Sequence, residues 1–220
     1  NSDGSITYEA VISRYNNDLA NNLGNLVSRT HAMTKKYFDG IVPTPGVKDA
    51  IDDELTLAVR DGINKSVELM AGYHVADSLD AIFNMLRRAN KYIDETMPWV
   101  LAKSEESKPR LATVIYNLLE VIRVAAVLLY PYIPATANAI FAQIGTDKTE
   151  FDTVSEFGAL EACKPLGEAF TLFARIDEKK FLEDMEERAR LAAEAAKPVE
   201  EPEHEAEIGI DAFAAVELRV

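Results

Sequence analysis

The stretch RLATVIYNLLEVIRVAAVLLYPYIP, residues 110–134, is apolar around most of a helical circumference, and nothing else in the chain limits the fold as much. A helix of this kind cannot rest on a surface with one face in water. It has to sit in the middle of a bundle, ringed by other helices, and Pro131 and Pro134 end it. With 220 residues, 48% of them hydrophobic, the chain has ample material for such a core. No apolar run approaches the roughly 18 residues that span a bilayer. The opening NSDGSITYEA has neither the basic nor the apolar segment of a secretion signal. The sequence therefore predicts no membrane partner.

The surrounding helices can be read from periodicity. Between Thr7 and Phe38, Leu19, Leu23, Leu26, Thr30, Met33 and Tyr37 recur at spacings of three and four, which predicts one long helix with a buried stripe. Gly40, Pro43, Pro45 and Gly46 break the chain. A second helix follows from Val47 to about Gly72, with Ile51, Leu55, Val59, Ile63, Val67 and Met70 inward. A third runs from His74 to about Thr96 on Leu79, Phe83, Leu86, Ala89, Tyr92 and Ile93. ATANAIFAQIG is a short helix closing at Gly145, and residues 146–178 read as irregular. The predicted fold class is all-α, organised as a helical domain over 1–176, a charged helix over 177–196, an acidic linker over 197–207 and a last segment over 208–220. In that last segment Val216, Leu218 and Val220 alternate like the first strand of an uncompleted β element. No initiator Met is present and the start is polar, so polypeptide is expected to precede Asn1.

Charge and composition narrow the chemistry. A single cysteine, Cys163, excludes an internal disulfide framework and a multi-cysteine zinc site and fits a reducing, cytoplasmic setting. Three histidines, His31, His74 and His204, are too few for a histidine-based metal site. The net charge of -14 opposes broad nucleic-acid binding, but 14 acidic against 6 basic residues lie from Asp177 onward. The earlier residues retain basic clusters such as TKKYF and LRRANK, so local basic patches remain open.

Beside the apolar stripe of the first helix runs a polar one: Asp18, Asn22, Asn25, Arg29 and Lys36. Asn25 and Arg29, at i and i+4, project from one face. An amide beside a guanidinium can read the planar polar edge of a nucleobase; the solvated flank of an amphipathic helix presents the same residue types. Trp99, the one tryptophan, follows Pro98 at the joint closing the third helix. An indole there offers a face on which an unpaired base can stack, or else it fills core or covers a helix end. Glu68, Asp77, Asp80 and Asp94 could line a helical carboxylate site, but no Glu-x-x-His pair accompanies them, and solvated faces account for them. Cys163 has no neighbouring histidine, and no glycine-rich phosphate loop occurs.

DGSITYEAVISRYNNDLANNLGNLVSRTHAMTKKYFDG, RRANKYIDETMPWVLAK, YNLLEVIRVAAVLLYPYIPATANAIFAQIG and LFARID, in this order and spacing, closely resemble the helical anticodon-binding domain of bacterial methionyl-tRNA synthetases. RYNNDLANNLGNLVSRT is common in outline to several class I synthetases, whereas ANKYIDETMPWVLAK is much more specific. The resemblance implies that the chain selects methionine tRNAs by the anticodon C-A-U. The first base would stack on Trp99, held by Pro98, and be hydrogen-bonded by Asn25 and Arg29. It implies an upstream catalytic domain that binds ATP and methionine. The H-I-G-H and K-M-S-K-S motifs of that domain do not occur here, so this segment is expected to hold no cofactor or metal and not to aminoacylate by itself. IGIDAFAAVELRV is similar to the start of an OB-fold tRNA-binding module, which restricts any homodimer to a polypeptide carrying that module complete. Three rivals stay open: the anticodon domain of the valine, leucine or cysteine enzyme, a helical protein-interaction module without an RNA partner, and a carboxylate-bridged metal bundle.

Overall fold

A computed structural model describes residues 7–195 and 209–211. The chain divides into two compact units, Asn1–Ile176 and Asp177–Val220. In the first unit, helix α1 (Tyr8–Arg14) runs through a π-helical stretch (Tyr15–Gly24) into α2 (Asn25–Phe38). Helices α3 (Ala50–Ala71) and α4 (Val75–Thr96) form an antiparallel hairpin, and the single turn α5 (Pro98–Leu101) follows. Then come α6 (Lys108–Leu129) and α7 (Pro134–Ile144). The second unit contains the charged helix α8 (Glu178–Ala195). The expected linker 197–207 and the strand of Val216, Leu218 and Val220 lie outside the described residues.

Every residue of α6 from Leu111 to Leu129 is buried, and α2, α3, α4, α5 and α7 surround it. This corrects one expectation: Glu105–Leu129 is long and apolar enough to cross a membrane by length and composition. Its apolar window is wholly buried inside the bundle, as the central helix of a water-soluble core would be. The two charges in it, Glu120 and Arg123, pair with each other at 2.8 Å, both fully buried. Glu120 also accepts backbone N–H bonds from Gly158, Ala159 and Leu160, and Arg123 donates to the carbonyls of Lys148 and Thr153. A buried ion pair needs such extra bonds to offset desolvation, and here they clamp the irregular 148–160 segment onto α6.

The first helix is not one regular α-helix. In its π-helical stretch each N–H reaches a carbonyl five residues back, so that Asn25 N–H meets Ala20 O. Asn16 and Asn22 of this stretch are both buried. Asn22, expected on the exposed stripe, is instead buried, donates to Phe83 O and accepts from Asn90 Nδ2 at 2.8 Å. Val67 and Met70, expected inward, are exposed: they line a cavity open to solvent that faces Val127, Leu128, Pro131 and Tyr132 instead of closing against them. Among the described residues the only β pairing is an antiparallel bridge of Ile41 with Pro165.

Candidate nucleic-acid interface

The joint between α4 and α5 is built to hold a side chain outside the core. Tyr92 and Ile93, fully buried, anchor the last turn of α4. Met97 then turns left-handed at φ 45°, its N–H closing on Ile93 O at 3.0 Å, and Pro98 starts α5 at a position where the missing N–H costs nothing. Pro98 is buried; Trp99, next to it, is 43% exposed.

The anchor is braced from two further helices. Tyr92 Oη donates to Asp52 of α3, and Arg110 of α6 grips the same carboxylate with two bonds of 2.8 Å. Asp52 also completes a capping box with Asp49 at the start of α3. Burial, then the hydrogen bond to Asp52, raises the Tyr92 phenol above its ordinary range, so it stays a neutral donor.

Arg29 reaches this corner from α2. Its guanidinium pairs at 3.5 Å with Asp94, which sits on the last turn of α4, five residues ahead of Trp99. Asn25 lies one turn before Arg29, exposed, on the same face of α2. Among the described residues neither the Asn25 carboxamide nor the Trp99 indole N–H has a hydrogen-bond partner. Beyond Arg29 on α2, Lys36 and Tyr37 line a cavity of about 200 Å³ with Leu101 and Ala102 at the end of α5. Arg29 is thus tied to the last turn of α4, next to the joint that carries buried Pro98 and half-exposed Trp99, and Asn25 lies one turn from Arg29 on the same face of α2.

In the sequence Asp94 reads as a solvated carboxylate. It is exposed, but its partner Arg29 comes from another helix, and no spacing in the sequence signals that contact. Asp80 pairs with Arg14, and Asp77 with His74. Among the described residues no group of three or more histidines, cysteines and carboxylates could hold a metal ion.

A family model described as the anticodon-binding domain of methionyl tRNA ligase matches residues 42–194. That span includes Pro98 and Trp99 but not Asn25 and Arg29. The methionine–tRNA ligase of Clostridium tetani is 42% identical over 219 residues, covering 100% of this chain and 34% of that protein. The Clostridium perfringens enzyme is 41% identical over 224 residues, with the same two shares. The apo structure of Mycobacterium tuberculosis methionyl-tRNA synthetase superposes with a TM-score of 0.74 at 34% identity, over 78% of this chain and 35% of that one. The chain spans about a third of the length of the curated relatives it matches.

Proposed function

The chain belongs to the family of anticodon-binding domains of methionyl-tRNA ligases, and from that premise we propose that it reads the C-A-U anticodon of methionine tRNAs through Trp99, Asn25 and Arg29. The observation that carries the reading is the corner itself: an exposed indole on a braced joint, with Arg29 tethered by Asp94 to the same helix end.

Cytosine presents one donor, its exocyclic amine, beside two acceptors on its pairing edge. The Asn25 carbonyl accepts from the amine and the Arg29 guanidinium donates to the acceptors, while the ring lies on Trp99. Uracil and guanine each put acceptor against acceptor or donor against donor somewhere along that edge, leaving polar groups unpaired in a desolvated contact. Asp94 acts as a positioning residue: it holds the guanidinium near the indole and leaves its other N–H groups free. Pro98 and left-handed Met97 fix the direction in which the indole points. Because stacking and edge contacts carry the recognition, few phosphate contacts are needed, and the acidic charge of -14 is tolerated.

In the whole polypeptide this contact would support ATP-dependent attachment of methionine to tRNA by a catalytic domain that itself binds ATP and methionine. Any homodimer would require a complete C-terminal module, and the setting would be the cytoplasm. The test uses the lone indole. An RNA hairpin with a C-A-U loop should quench Trp99 fluorescence saturably, and the same hairpin with U or G as first base should bind more weakly. Equal binding of all three loops would defeat the reading, as would a tryptophan signal indifferent to RNA that binds by another measure.

A further inference from the structure

A groove adjoins the Asn25 side of α2. One wall is α2 and the end of the π-helical stretch; the other is the extended segment 167–176. It widens into two cavities of about 210 and 290 Å³ that share Ser28 and Thr171, and Asn25 lines the first.

The segment is fastened along its length. Gly167 O meets His31 Nε2 at 2.9 Å, Gln143 Nε2 donates to Phe170 O at 2.9 Å, and Asn16 exchanges two hydrogen bonds of 2.9 Å with the Ile176 backbone. Gly167 crosses α7 so closely that a Cβ there would run into the Ala142 carbonyl. Phe173 turns inward, edge-on to Tyr15 with ring centroids 5.9 Å apart. Phe170 does the opposite: its backbone is pinned by Gln143, yet the residue is 48% exposed at the second cavity. Arg175 lines the first cavity and Lys35 the second; both are exposed, and among the described residues neither has a hydrogen-bond or ion-pair partner. Glu168, the single carboxylate of 167–176, is not among the residues lining either cavity.

A rigidly held exposed aromatic flanked by unpaired cations is how proteins grip an unpaired nucleotide: the ring takes the base and the cations the phosphodiesters. We propose that this groove is a second nucleotide site, in which Phe170 stacks a loop base neighbouring the one read by Asn25 while Lys35 and Arg175 neutralise the adjoining phosphates. The inference rests on the reading of Trp99, Asn25 and Arg29 given above, because it extends the same RNA strand across α2.

The experiment measures C-A-U hairpin affinity against salt concentration for the full chain and for Lys35→Ala, Arg175→Ala and Phe170→Ala. Each cation removed should reduce the slope of log affinity on log salt by about 0.7, the value for one phosphate contact on a single strand. Phe170→Ala should weaken binding about tenfold or more, and equally for C, U or G as first base. The preference for C should survive all three substitutions, since it belongs to the Trp99 corner. Unchanged slopes and affinities in the three variants, with the preference for C intact, would overturn the groove and leave the first reading standing. No binding of any hairpin by the unmodified chain would overturn both.

Discussion

Trp99 is exposed enough that its role and its packing can be separated. Trp99→Ala should weaken C-A-U hairpin binding by about 1–3 kcal/mol, the worth of one base stack, while the urea unfolding transition stays cooperative, its midpoint lowered by loss of the buried part of the indole; calorimetric titration and urea unfolding give the two readouts. Loss of fold with loss of binding would instead make the indole structural. Tyr116 makes a different residue-scale prediction. Burial, then the nearby Glu120 charge, pushes its phenol up to about 12, while its hydroxyl lies within hydrogen-bond reach of the Gly158 and Leu160 carbonyls. An unfolded tyrosine ionises near pH 10, so between about 10 and 12 the folded state holds a proton that the unfolded state has lost. Stability is therefore full below pH 10 and falls as the pH rises through 12. Denaturant midpoints across that window should decline, and Tyr116→Phe should decline less. Asn25 and Arg29 were legible as a pair because both lie on one regular helix, where spacing i and i+4 means adjacency. Asp94 was not legible as the tether of Arg29, because adjacency between two helices is a product of their docking.

At the scale of elements, the α4–α5 joint stores backbone strain. Met97 at φ 45° occupies a region that costs a residue with a Cβ about 1–2 kcal/mol, and its side chain is 45% exposed, so little packing opposes a change. Met97→Gly should raise the urea midpoint, by up to about 1 kcal/mol of stability, and leave the corner able to bind the hairpin. A fall in stability would mean that the Met97 side chain contributes more than its exposure suggests. Proline at 98 announced a new helix start in the sequence, but the left-handed turn before it carries no glycine or asparagine to advertise it. The π-helical stretch leaves no mark in the sequence for a related reason. Asn22 reads as part of the polar stripe, and only its bonds to Phe83 and Asn90, both on another helix, account for its burial.

At the scale of the molecule, α6 and the segment clamped to it decide whether the bundle holds. Arg123→Met would strip the cation from fully buried Glu120, and breaking such a pair costs about 3–5 kcal/mol; a large drop in the denaturant midpoint should follow, with the 148–160 segment losing amide protection first. A chain ending at Ile176 should keep the hairpin affinity of the full chain, since Trp99, Asn25 and Arg29 all belong to the first compact unit; a loss would show that the second unit takes part in binding. The helical class, the central place of α6, the breaks at Gly40 to Gly46 and at Gly145, and the face shared by Asn25 and Arg29 are all legible in the amino-acid order. Each of these follows from local periodicity or from the covalent limits of proline and glycine. That Arg29 meets Asp94, that Asp52, Tyr92 and Arg110 brace the joint, that Glu120 finds three backbone donors 38 to 40 residues on, and that 167–176 lies along α2 follow from the tertiary structure alone. Those contacts join residues far apart in the chain, and their energies exist only once packing has brought the partners within reach of one another.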